Sequence, residues 1–217
     1  MKLTLPQRLY LLCYTVDKEK FHLVDIQGRG QLLRAGALTE LALAEQIRAE
    51  DGKALRLPEA RPWDAFLAGV WQDVPADKPH GWLSLVHNKA AAAERPVRDQ
   101  LAEAGLLTVE SGGRFRPHGT ERITVEDPEA VRALQEGVRA TVLGGGDPAT
   151  APMEEAAMAV LSAEVEVGSV LSAKERHAHR DVRAALADRV DTVVPGLAKA
   201  LRGSYLSSRS VGGGYGG

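Results

Sequence analysis

The sequence predicts a mainly α, single-domain fold with one β-hairpin. Three observations carry that prediction. Ala and Leu dominate the apolar residues while aromatics make up only 5% of the chain, which favours helix over sheet. The stretch Leu32–Ala49, LLRAGALTELALAEQIRA, repeats Leu33, Ala37, Leu41 and Ala44 at helical spacing, and Leu38, Leu43 and Ile47 widen the apolar face. It reads as a helix buried over much of its surface. The two short extended runs that flank Ser111-Gly112-Gly113 read as a hairpin. The 217 residues suit one domain, or one with a small extension, and 44% hydrophobic content is enough for a sizeable core.

The elements follow in order. Leu5–Tyr14 is a helix with Pro6 in its first turn. DKEK is a polar turn, and Phe21–Ile26 a short extended piece before Gly28-Arg29-Gly30. The buried helix follows and ends at Asp51-Gly52. Leu55–Leu57 reads as a brief strand or turn. Pro62–Val70 and Gly81–Asn88 are amphipathic helices about a Pro-rich link, and Trp63, Trp71 and Trp82 read as core anchors. Lys89–Ala104 is helical, with Pro96 marking a start or kink and Gly105 a C-cap. Asp127-Pro128 opens a helix to about Leu143, stopped by Gly144-Gly145-Gly146. Met153–Leu161 and Val165–Leu171 are apolar. Ser172 and Glu175 form a capping box ahead of a charged helix to about Val190, and Pro195–Arg202 adds a short last helix. The end, SSRSVGGGYGG, reads as a disordered tail.

The net charge of −2 gives no global field to hold nucleic acid or an anionic membrane, so such binding needs a local patch. One cysteine, Cys13, excludes an internal disulfide framework and a multi-cysteine metal site. It reads as a buried, inert thiol. The short N-terminal apolar run reads as a core helix rather than a targeting signal, and no run is long enough to span a membrane. A cytoplasmic location, with surface attachment to a membrane, fits. No catalytic constellation, cofactor motif or metal-ligand spacing is specific: the glycine triplet follows no strand, and His177 and His179 lie on different helix faces.

Arginines are the remaining signal. A guanidinium in an apolar helix must reach water or an anion, and Arg34 is such a group. Arg95 and Arg98 share a helix face near another helix start. Helix N-termini favour anions and arginine binds phosphate bidentately, so these residues would form a phosphate pocket if the two helix ends meet. An alternative takes the helix and hairpin of 94–117 as the end of a winged-helix module, a scaffold binding protein or DNA through Arg114 and Arg116. The Ala- and acid-rich composition of that helix disfavours nucleic acid.

The segments LTLPQRLYLLCY, LLRAGALTELAL and RPVRDQLAEAGLLT, then a hairpin before DPEAVRALQ, follow one another as in the Golgi phosphoprotein 3 family, and the chain is similar to actinobacterial members of it. The most specific part is Arg34–Leu43, and the resemblance covers about Leu3 to Arg202. It implies a helical bundle ringed by amphipathic helices with one projecting hairpin, in a domain of residues 1–203, leaving 204–217 as the tail. It also implies a non-catalytic peripheral membrane protein, without cofactor or metal, that binds an anionic lipid such as phosphatidylinositol 4-phosphate. Arg34, Arg95 and Arg98 match the pocket's arginines. The pocket tryptophan falls on Asp25 by ungapped count, and Arg29 stands nearby to assist. The hairpin, near residues 106–125, is the expected route to a homo-oligomer.

Overall fold

The computed structural model describes residues 2–21, 26–110 and 121–212. Among them it is mainly α, with ten helices and three small antiparallel sheets. The chain runs α1 (Leu5–Leu12), β1 (Tyr14–Thr15), β2 (Lys20–Phe21), α2 (Ile26–Leu43), β3 (Ile47–Glu50), β4 (Lys53–Arg56), α3 (Ala65–Asp73), β5 (His80–Gly81), α4 (Trp82–His87) and α5 (Ala90–Glu103). It continues through β6 (Leu107–Glu110), β7 (Arg122–Val125), α6 (Pro128–Leu143), α7 (Met153–Glu164), α8 (Ala173–Ala178), α9 (Arg180–Asp191) and α10 (Leu197–Gly212).

Helix α2 is the axis of the fold. It packs against α1, α3, α4, α5, α7 and α10. Leu32, Leu33, Ala35, Ala37, Leu38 and Leu41 are all buried, as are Gln31, Arg34 and Thr39. A helix buried on most sides has little amphipathic contrast. Two glycines allow its neighbours to come close. A Cβ on Gly36 would lie 2.4 Å from Leu9 Cδ1 of α1, and one on Gly30 would lie 1.8 Å from the Ala90 carbonyl oxygen at the start of α5.

Helix α2 begins at Ile26 and stops at Leu43, earlier at both ends than the 32–49 expected. Its stop is a Schellman motif. Gln46 N donates to Leu41 O at 2.8 Å and Glu45 N to Ala42 O at 3.0 Å, with Glu45 in the left-handed region at φ 53°. The chain then turns into β3. Asp51 and Gly52, at φ 48° and 73°, form the two-residue turn that pairs Glu50 with Lys53. The pair expected to end a helix therefore joins two strands, and β5 adds to the same sheet.

The hairpin pairs β6 with β7, from Leu107↔Val125 to Glu110↔Arg122. Its second strand is RITV, whereas the expected one, RFRP with Arg114, Phe115 and Arg116, lies outside the described residues. The caps of α6 and α8 are those expected, Asp127 and the Ser172/Glu175 box. Helix α10 extends past residue 203 to Gly212, into what was expected to be tail. Buried Ser204 and Tyr205 anchor it, and the Gln31 amide donates to Ser204 O at 3.3 Å and Ser208 Oγ at 2.8 Å. Residues 213–217 lie outside the described residues. Of the tryptophans, Trp82 is a core anchor and its Nε1 donates to Pro195 O at 2.8 Å, whereas Trp63 is 65% exposed. Trp71 is half-buried, with the Arg56 guanidinium 4.6 Å from its ring centroid.

Candidate functional site

Arg29 and Arg34 both stand on α2, and each finds a different carboxylate. Arg29 donates from Nε and Nη2 to the two carboxylate oxygens of Glu94 on α5, at 3.1 and 3.0 Å. Both side chains are nearly nine-tenths buried. The guanidinium lies 5.9 Å from the centroid of Phe21, whose ring packs on Tyr10 and Tyr14 at 4.5 and 5.2 Å. Burial pushes the Tyr10 hydroxyl well above its ordinary range, Glu94 adds to the rise, and Arg29 and Arg98 oppose it. Arg29, Glu94 and Arg98 therefore surround one buried phenol.

Arg34 is 3% exposed. It donates from Nε to Leu85 O at 2.6 Å and from Nη1 to Asp73 Oδ2 at 3.0 Å. Lys89 Nζ donates to the other oxygen, Oδ1, at 2.5 Å. Asp73 thus sits between two cations. Sequence reasoning missed both Asp73 and Lys89. Asp73 is 39 residues from Arg34, beyond any helical spacing, whereas Lys89 had a local signal in the polar break HNK between α4 and the alanine run of α5.

These groups form one end of a cleft of about 480 Å³ between α3 and α5. The two helices run antiparallel, with Asp73 by Lys89 at one end and Asp64 accepting from Gln100 Nε2 at 2.9 Å at the other. Small residues, Ala65, Gly69, Ala92 and Ala93, leave the space between the walls unfilled, and Phe66 and Val70 supply apolar lining. Asp99, Gln100 and Glu103 line the far part. Lys89, in the left-handed region at φ 60°, holds the N-cap position of α5 and gives no side-chain cap. The first amides of α5 therefore lack a side-chain acceptor, and the helix dipole leaves partial positive charge there.

Of the four expected site residues, Arg34 lines this cleft. Arg98 turns to Asp99 Oδ1, at 2.9 and 2.7 Å from Nε and Nη2, and to Glu121. Arg95 is 82% exposed, its Nε 3.5 Å from Asp99 Oδ2. Asp99 pairs with exposed Arg95 and with largely buried Arg98 while lining the same cleft as Arg34. Arg29 belongs to the aromatic cluster. Asp25 lies outside the described residues.

The order α4, α5, hairpin is that of a winged helix, yet α5 packs on α2 and its outward face sets Arg95 beside Asp99 and Glu103, without a basic excess. Cys13 is buried and donates to Leu9 O at 3.4 Å, and burial pushes its thiol up to about 12. The described residues hold no group of three or more His, Cys, Asp or Glu placed to bind a metal. None of their helices is long and apolar enough to cross a membrane.

The described residues thus form a helical bundle with a side cleft that a buried arginine lines. The Golgi phosphoprotein 3 (GPP34) family model matches residues 5–203, and the chain belongs to that family. The family is a non-catalytic, adaptor-type one. No curated protein matches the chain.

Proposed function

We propose that the protein is a non-catalytic peripheral membrane adaptor that takes a phosphate-bearing lipid head group, of the phosphoinositide kind, at the Arg34 end of the α3–α5 cleft. The observation that supports this most is Arg34 itself: a guanidinium 3% exposed that still lines an open cleft. Lys89 stands at the mouth, and the start of α5, which has no side-chain cap, brings the positive end of that helix dipole. Arginine, lysine and a helix N-terminus are the three groups that bind phosphate best, and a lipid head group supplies phosphate oxygens in place of the carboxylate of Asp73. Arg95 and Arg98 are joined to the cleft wall through Asp99 and reach the rim of the same ligand. Arg29 holds α2 against α5 through Glu94 and keeps the cleft floor in place.

Vesicle flotation tests the reading. Phosphatidylcholine vesicles containing phosphatidylinositol 4-phosphate should retain the protein, and Arg34→Ala or Lys89→Ala should lower retention by about tenfold, the loss of one charge-assisted contact. Arg95→Ala should lower it by less. Retention no greater than on phosphatidylcholine alone would overturn the reading.

A further inference from the structure

We propose that Asp73 is a built-in occupant of the anion seat, a carboxylate held between Arg34 and Lys89 that a phosphomonoester displaces and a phosphodiester does not. The inference rests on the proposed phosphate-binding reading and adds the residue that sets its specificity.

Four observations carry it. Asp73 uses both oxygens, one on the buried guanidinium and one on the lysine, at 3.0 and 2.5 Å. It occupies the contacts that an incoming anion needs. Its side chain is 18% exposed and lines the cleft, so displacement moves it toward water rather than into the core. Asp73 is also the last residue of α3. A carboxylate there faces the negative end of the helix dipole, so the position itself disfavours it, and the two cations hold it in place. Finally, Arg34 keeps a second acceptor, Leu85 O at 2.6 Å, and so is not stranded when Asp73 leaves.

The exchange is a competition between anions. A phosphodiester brings one charge, replaces one carboxylate charge and must also shed its hydration. It gains little. A phosphomonoester carries about 1.5 to 2 negative charges near neutral pH and three acceptor oxygens. It can engage Arg34 and Lys89 with more charge and one oxygen more than a carboxylate, next to the positive end of the α5 dipole. Asp73 is then a threshold against the diester lipids that dominate a membrane surface.

The experiment compares phosphatidylcholine vesicles bearing either phosphatidylinositol 4-phosphate or phosphatidylglycerol at equal surface charge. The wild type should prefer the phosphomonoester vesicles by about tenfold or more. Asp73→Asn keeps the shape and one acceptor oxygen; it should raise retention on both vesicles and shrink the preference to about twofold. Asp73→Glu should keep the preference. A folded Asp73→Asn protein that retains the wild-type preference overturns the role of Asp73 while leaving phosphate binding intact. Absence of binding by every variant to either vesicle overturns both. Lys89→Glu is a second variant at an exposed side chain, 68% exposed, and leaves Arg34 and its bond to Leu85 O in place. Adding a carboxylate to the seat should cut phosphomonoester retention at least about tenfold, and unchanged retention removes the seat and the inference with it.

Discussion

Two ion pairs across the same central helix show how one chemistry serves two ends. Arg29 and Arg34 both leave α2 for a carboxylate on a neighbouring helix, Glu94 on α5 and Asp73 on α3. The first pair is closed: bidentate, buried on both sides and set against Tyr10 and Phe21. The second is open. Its carboxylate is shared with an exposed lysine, and small residues leave a cleft open beside it. A buried pair that loses a partner leaves an uncompensated charge, whereas a carboxylate at a cleft can be exchanged for another anion. The closed pair sets the spacing of α2 and α5, and the open pair uses that spacing.

Gly30 is the sharpest place to break both. It lies between the two arginines, where α2 crosses the start of α5, and an added Cβ would sit 1.8 Å from the Ala90 carbonyl oxygen. That oxygen belongs to the backbone, so no side-chain rotation relieves the clash. Gly30→Ala should cost at least about 3 kcal/mol in urea unfolding. A loss under about 1 kcal/mol would mean that α5 slides freely past α2.

The next effect separates the pairs. Glu94→Ala strands a guanidinium in the aromatic cluster and should cost about 3 kcal/mol. Asp73→Asn leaves Arg34 an amide oxygen and Leu85 O and should cost about 1 kcal/mol. Equal costs would erase the distinction between a structural and an exchangeable pair.

The same difference decided what could be read in the sequence. The core of α2 was legible because Leu33, Ala37, Leu38 and Leu41 carry the helical period into a fully buried surface, whereas Ala44 and Ile47, counted in the same period, lie beyond the end of the helix. The Asp127 cap, the Ser172/Glu175 box and Gly105, at φ 71°, were legible because their chemistry is local. The end of α2 was not, since Glu45 takes the left-handed position that glycine would have advertised. Asp51-Gly52 carried the right conformation but the wrong neighbours, because the strand after α2 begins in what looks like more helix. Arg34 stood out as a lone charge in an apolar run. Its partners did not, because Asp73 and Lys89 meet it only through the packing of α3 and α5. The helical spacing of Arg95 and Arg98 was real, but it sends Arg95 to solvent and Arg98, 13% exposed, to Asp99 and Glu121 rather than to Arg34.

The smallest expected effect comes from a third pair of the same chemistry, Arg139–Glu175, which lies at the surface. Glu175 accepts from Arg139 Nη2 at 2.7 Å and from Ser172 N at 2.8 Å within the box that starts α8. The Arg139 and Ser172 donors hold its carboxyl down to about 2. An unfolded glutamate titrates near its ordinary value of 4.5, so the unfolded chain takes up the proton first as pH falls. The stabilisation is present above about pH 4.5 and is lost as pH falls toward 2. Ser172→Ala should cost about 1 kcal/mol at pH 7, the usual worth of a helix cap. Glu175→Gln should flatten the acid limb of the stability curve between pH 4.5 and 2, relative to wild type, by removing a group that titrates there. Because this pair neither closes on a buried ring nor opens on a cleft, vesicle retention of both variants at pH 7 should match wild type. A variant that changes retention there would carry the lipid surface to α6 and α8, and the Arg34 cleft would no longer be the place where the open pair differs from the closed one.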